Sequence, residues 1–105
     1  MSGALTAVAL ETDQGAVPED FALHPNYPNP FNPGTRIRFD LPVGGAVSLD
    51  VFNTLGQKVE TLVEQVLPAG SHTVLFDGRH LASDLYFYRL TQGQRQQTRP
   101  MLLLK

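Results

Sequence analysis

Two short runs set the period of this chain. In "TRIRFDL", Ile37, Phe39 and Leu41 alternate with Arg36, Arg38 and Asp40, the two-residue repeat of a strand with one buried face. In "VSLDVFN", Val47, Leu49 and Val51 alternate with Ser48 and Asp50. A helix would scatter these apolar residues around its circumference, so the chain is committed to sheets. With Gly44-Gly45 between them, the two runs predict an antiparallel hairpin. The following "NTLGQK" predicts a tight reversal, with Gly56 at positive φ and Leu55 tucked beneath the turn.

"KVETLVEQVL" fits two periods, because Val59, Leu62, Val63 and Val66 also make a helical stripe. A lone helix among strands lacks a partner layer, so a long strand with an irregularity is expected. After Pro68-Ala69-Gly70, "SHTVLFDG" puts Val74 and Phe76 on one face. "LYFYRLTQ" sets Tyr86, Tyr88 and Leu90 against Leu85, Phe87 and Arg89, and "QTRPMLLLK" places Met101 with Leu103. Adding a short strand near Phe21 to His24 gives about seven strands, the expectation for an all-β, immunoglobulin-like antiparallel β-sandwich.

The stretch from His24 to Pro42 holds five of the eight prolines. Residues before proline are driven away from helical angles, and asparagine side chains close small turns through nearby backbone groups. Tyr27 and Phe31 are the large apolar groups available to pin this segment. It therefore reads as a clamp along a sheet edge, blocking edge pairing. Residues 1–20 are small, polar and acidic, and read as a flexible linker or an added chain end. The domain proper is then residues 21–105. The apolar run in "MSGALTAVAL" lacks a basic flank and is too short to span a membrane, so no direct membrane insertion is expected.

At 105 residues the chain can bury one core. Its net charge of −2 argues against nucleic acid as a partner. The charged side chains of the first twenty positions are all acidic (Glu11, Asp13, Glu19 and Asp20), whereas Arg89, Arg95, Arg99 and Lys105 make the last stretch basic. No cysteine is present, which removes disulfides, thiol nucleophiles and cysteine metal sites. Ser71, His72 and Asp77 include the residue types of acyl transfer, yet alternation sends Ser71 and His72 to opposite faces. His24, His72 and His80 lie in separate segments without ligand spacing, and are expected to be exposed polar residues. Asp77-Gly78 reads as a turn, Arg36 and Arg38 as a solvated face. The reading is of a protein without catalytic activity, cofactor or metal.

The blocks "YPNPFNPGTRIRFDLP", "VSLDVFNTLGQKV", "LPAGSHTVLFDG", "LASDLYFYRL" and "TRPMLLLK", in that order, resemble the type A C-terminal sorting domain of the type IX (Por) secretion system of Bacteroidota and relatives. The resemblance runs from about Phe21 to Lys105. It implies a label on an upstream passenger domain, exported through the periplasm to the cell surface or medium, read by the type IX translocon and removed by a sortase-like peptidase. The motif positions it carries over are Pro28, Asn29, Pro30, Phe31 and Ile37; Leu55, Gly56 and Val59; Tyr86; and Met101, Leu102, Leu103, Leu104 and Lys105. Two positions depart from the family pattern. Asp84 replaces glycine in a turn expected to need positive φ, and Pro100 replaces lysine, which predicts an edge or bulge there. Met101 to Lys105 is then expected to be an accessible handle, offering an open edge for strand addition. The alternative is a permanent accessory module that binds carbohydrate or packs on a neighbouring domain, and an exposed aromatic pair on one sheet face would favour it.

Overall fold

Buried and exposed side chains alternate without a break along Thr35–Phe39 and Gly70–Asp77, and that alternation builds two facing sheets. The computed structural model describes residues 7–105, with side chains from residue 10 onward. Its strands are β1 (Ala7–Asp13), β2 (Ala22–Leu23), β3 (Gly34–Leu41), β4 (Gly45–Phe52), β5 (Lys58–Leu67), β6 (Gly70–Asp77), β7 (Asp84–Gln92) and β8 (Arg95–Leu103). The first sheet has the order β1-β6-β3-β2 and the second β5-β4-β7-β8. All pairings between these strands are antiparallel. Strands β2–β8 supply the seven expected strands of an immunoglobulin-like sandwich.

The predicted β3–β4 hairpin does not form. β3 pairs with β2 and β6, while β4 pairs with β5 and β7 in the opposite sheet. Ile37, Phe39 and Leu41 therefore meet Val47, Leu49 and Val51 within one core rather than side by side in one sheet. Alternation determines which face is buried and is silent about which strand lies alongside.

The linker reading of residues 1–20 fails at Ala7–Asp13, while its residues 1–6 lie outside the described residues. Ala7–Asp13 is an eighth strand that runs along β6, from Ala7 opposite Phe76 to Asp13 opposite Ser71. Backbone pairing makes no demand on hydrophobic composition, and Leu10 adds partial burial against the core. Gln14 to Asp20 remains largely exposed and outside regular strands.

β5 is the expected irregular strand. Its register against β4 steps twice, leaving Val59 and Leu62 as the extra residues. The second step lets adjacent Leu62 and Val63 both enter the core, which is how a strand comes to imitate a helical stripe. β7 buries Tyr86, Tyr88 and Leu90, while Leu85, Phe87 and Arg89 face outward. Asp84 is in the ladder opposite Leu103. Contrary to expectation it does not take positive φ, because the chain enters β7 already extended.

The register brings one set of loops together. Gly34 lies opposite Asp77, Asp84 opposite Leu103 and Phe52 opposite Phe87. The proline-rich segment, the β4–β5 turn, the β6–β7 connection and the chain's last residues consequently share one end of the sandwich.

Candidate functional site: the proline clamp, the terminal strand and the β4–β5 turn

β8 is an edge strand, and the proline-rich segment lies against its outer side. The N–H of Phe31 donates to the Leu102 carbonyl at 2.9 Å, and the N–H of Leu104 donates to the Phe31 carbonyl at 3.1 Å. The Leu102 N–H donates to Asn29 Oδ1 at 3.0 Å. These contacts form an isolated parallel bridge between Phe31 and Leu103. Farther along, the Leu23 N–H donates to Gln97 Oε1 at 2.7 Å, and the Arg99 guanidinium donates to the Leu23 carbonyl. One lateral seam of the sandwich is thereby closed.

Pro100 fits this arrangement without loss. Leu102 points its backbone groups outward, and residues two apart along a strand point alike. The N–H that Pro100 lacks would have faced away from β7, so no ladder bond is missing, as the rule for prolines in edge strands requires.

Phe31 is the anchor of the clamp. It is 1% exposed, and its ring centroid lies 6.0 Å from that of Phe76. A Cβ at Gly78 would stand 3.2 Å from Phe31 Cε2 and 3.3 Å from Leu103 Cδ2. Gly78 is therefore the small residue that lets the clamp close, and its N–H donates to the Pro33 carbonyl. Tyr27, expected to be a second anchor, is 78% exposed. It meets Arg36 through its backbone alone; the segment is fastened there by Asn26, whose amide donates to Pro28 O and Thr35 Oγ1. The Tyr88 hydroxyl donates to the His24 carbonyl at 2.7 Å from inside the core, and burial pushes its phenol up to about 12.

The motif residues divide into two groups. Ile37, Tyr86, Met101 and Leu103 join Phe31 in the core, and Tyr86 lies opposite Met101 in the ladder. The Tyr86 hydroxyl donates to Ala82 O at 2.7 Å, the corner tie that sandwiches use where a chain crosses between sheets. Pro28, Asn29 and Pro30 are exposed, Leu102 is half-buried, and Leu104 and Lys105 are exposed. The terminal segment is thus not an open handle. Met101 and Leu103 are core, and the edge from Leu102 to Leu104 is already occupied.

Leu55, Gly56 and Val59 belong to the same end but do not join the clamp. Gly56 takes φ +80 as predicted. Leu55 is not tucked beneath the turn but 80% exposed, because Asn53 closes the turn itself, its Oδ1 accepting from the N–H groups of Leu55 and Gln57. Val59 sits at a register step of β5 and is partly exposed.

The histidines are not three exposed polar residues. His72 is 0% exposed on the core face of β6. Its Nε2–H donates to the Pro68 carbonyl, which can only accept, so Nδ1 is the acceptor for the Thr12 hydroxyl. Parity with Val74 carried that signal in the sequence. His80 Nε2 lies 2.7 Å from Glu60 Oε1, tying the β6–β7 connection to β5. His24 Nε2 lies 2.7 Å from Asp40 Oδ2, and the Ser71 hydroxyl donates to Asp40 Oδ1. Ser71 thus serves a carboxylate while His72 is engaged elsewhere, so the two do not form a nucleophile and base pair.

Burial alone would raise the Asp40 carboxyl, but hydrogen bonds from His24 and Ser71 and the positive charges of His24 and Arg38 outweigh it and hold it below its ordinary value. A depressed carboxylate stabilises the fold above its unfolded pKa of about 3.9, and that contribution disappears as pH falls through the lower folded value. Thermal melts from pH 7 to pH 2 are expected to show a loss of stability below about pH 4 that Asp40→Asn reduces. An unchanged acid slope in that variant would refute the assignment.

A sequence model of the family described as the secretion system C-terminal sorting domain matches residues 26–103. No curated protein matches the chain at a significant level.

Proposed function

The chain belongs to the family of secretion system C-terminal sorting domains, and from that membership we propose that it directs an attached upstream passenger through the type IX translocon to the cell surface or medium. The family ties the domain to the type IX system as a sorting signal for export across the outer membrane. The match over residues 26–103 carries this reading. A sortase-like peptidase then removes the label within Gln14 to Asp20, since a peptidase needs accessible backbone and this segment lies outside the ladders.

The accessory reading asked for an exposed aromatic pair. Phe52 and Phe87 do lie opposite each other, but both are half-buried and the Arg89 guanidinium sits 4.6 Å from the centroid of the Phe52 ring. With neither ring exposed and Arg89 over one face of Phe52, the pair does not meet that requirement, so the sorting reading is preferred.

The test fuses all 105 residues to the C-terminus of a signal-bearing periplasmic reporter in a type IX-competent bacterium. The fusion is expected at the surface or in the medium, shortened by the mass of the label, while the unfused reporter stays in the periplasm. A fusion retained in the periplasm at full mass would overturn the proposal.

A further inference from the structure

The β4–β5 turn is rigid and holds a leucine in water. Five hydrogen bonds fasten Asn53–Gln57: two between backbone groups, two from backbone N–H groups to Asn53 Oδ1, and one from the Asn53 amide to Gln57. They leave Leu55 80% exposed, where it contributes nothing to the core. Beside it is a groove of about 200 Å³, lined by the Phe52 and Phe87 rings and by the polar Asn53, Thr54, Arg89 and Thr98. The apolar strip continues across the same outer face, where Leu85 lies opposite Leu102 and Phe87 opposite Pro100. Arg89 lies over the Phe52 ring and its Nε donates to Thr98 Oγ1, with no carboxylate within 4.0 Å among the described residues.

We propose that this outer face of the second sheet is the surface by which the type IX machinery holds the domain, with Leu55 as its anchor. The partner is a protein surface with an apolar pocket for Leu55 and a carboxylate for Arg89. An exposed apolar side chain beside a groove holding two aromatic rings is the anatomy of an interface anchor, and the Arg89 cation in that groove, which has no carboxylate partner, selects a surface of opposite charge. The inference rests on the sorting reading. It separates motif residues that build the fold from those that are presented to a partner.

Reporter fusions carrying Leu55→Asp, Arg89→Glu or Val66→Asp provide the test. Val66 is 75% exposed at the opposite end of β5 and is the control. Leu55→Asp and Arg89→Glu are expected to reduce export roughly tenfold, the effect of losing an interface anchor. Leu55→Asp is expected to melt within about 3 °C of the parent; Arg89→Glu, which loses the stack on Phe52 and sets a carboxylate opposite Asp50, is expected to melt lower yet stay folded at the temperature of the export assay; Val66→Asp is expected to export normally. Normal export of Leu55→Asp, or an equal loss in Val66→Asp, would overturn the surface. Normal export of Arg89→Glu would overturn its carboxylate partner. A parent fusion that is itself retained would instead bring down the sorting reading, and this inference with it.

Discussion

A chain that stops at Pro100 is expected to be unfolded at 25 °C. The five missing residues include Met101 and Leu103, each 0% exposed, and emptying two such sites costs about 2–5 kcal/mol apiece. The start of β7 also loses its ladder partner, and Phe31 loses both backbone bonds to the terminal strand. A domain of this size has only about 5–15 kcal/mol to lose. Near-ultraviolet circular dichroism and a thermal melt decide the matter, and a cooperative transition within a few degrees of the parent would refute the prediction. The consequence for sorting experiments is direct. Failure of such a truncation to be exported would report on folding, not on recognition of the terminus, which is why point substitutions at exposed positions are the informative ones.

Phe31→Ala is expected to cost about 3–5 kcal/mol, as for other fully buried phenylalanines. For a domain of this length, each kcal/mol lowers the melting temperature by about 4–8 °C, so a fall of roughly 12–40 °C should follow. Tyr27→Ala, four residues earlier in the same proline-rich segment, should change stability by no more than about 0.5 kcal/mol because its ring is in water. Paired denaturant titrations test the contrast. Equal losses would mean that the segment acts as one clamp without a dominant anchor. Combining Phe31→Ala with Leu103→Ala should give less than the sum of the two losses, because the residues share one seam, with a coupling of about 0.5–3 kcal/mol.

The buried face of nearly every strand was legible in the sequence. Ile37 and Phe39, Val74 and Phe76, Tyr86 and Tyr88, and Met101 with Leu103 all point inward as alternation required. Pairing was less legible, since β3 and β4 carry identical signals whether they neighbour each other or face across a core. At Leu55 apolar character does not bring burial, because the turn is closed by the polar Asn53. β1 was missed because its hold on β6 is a backbone ladder, to which composition is blind. The clamp was recognisable from its prolines and Phe31, but the roles of Asn29 and Gly78 depend on distances that no spacing rule supplies.

The closed seam has a further consequence for association. Each sheet has two borders, and those formed by β2 and β8 are tied together by Gln97, Arg99 and the Phe31 bridge. Among the described residues, β1 and β5 are the borders left without such a tie. A single sheet that continues through many copies needs both of its borders open, whereas each sheet here has one left. Strand addition at the β2–β8 border is therefore blocked, and the clamp that completes the fold also removes one of the two sides on which copies could stack edge to edge.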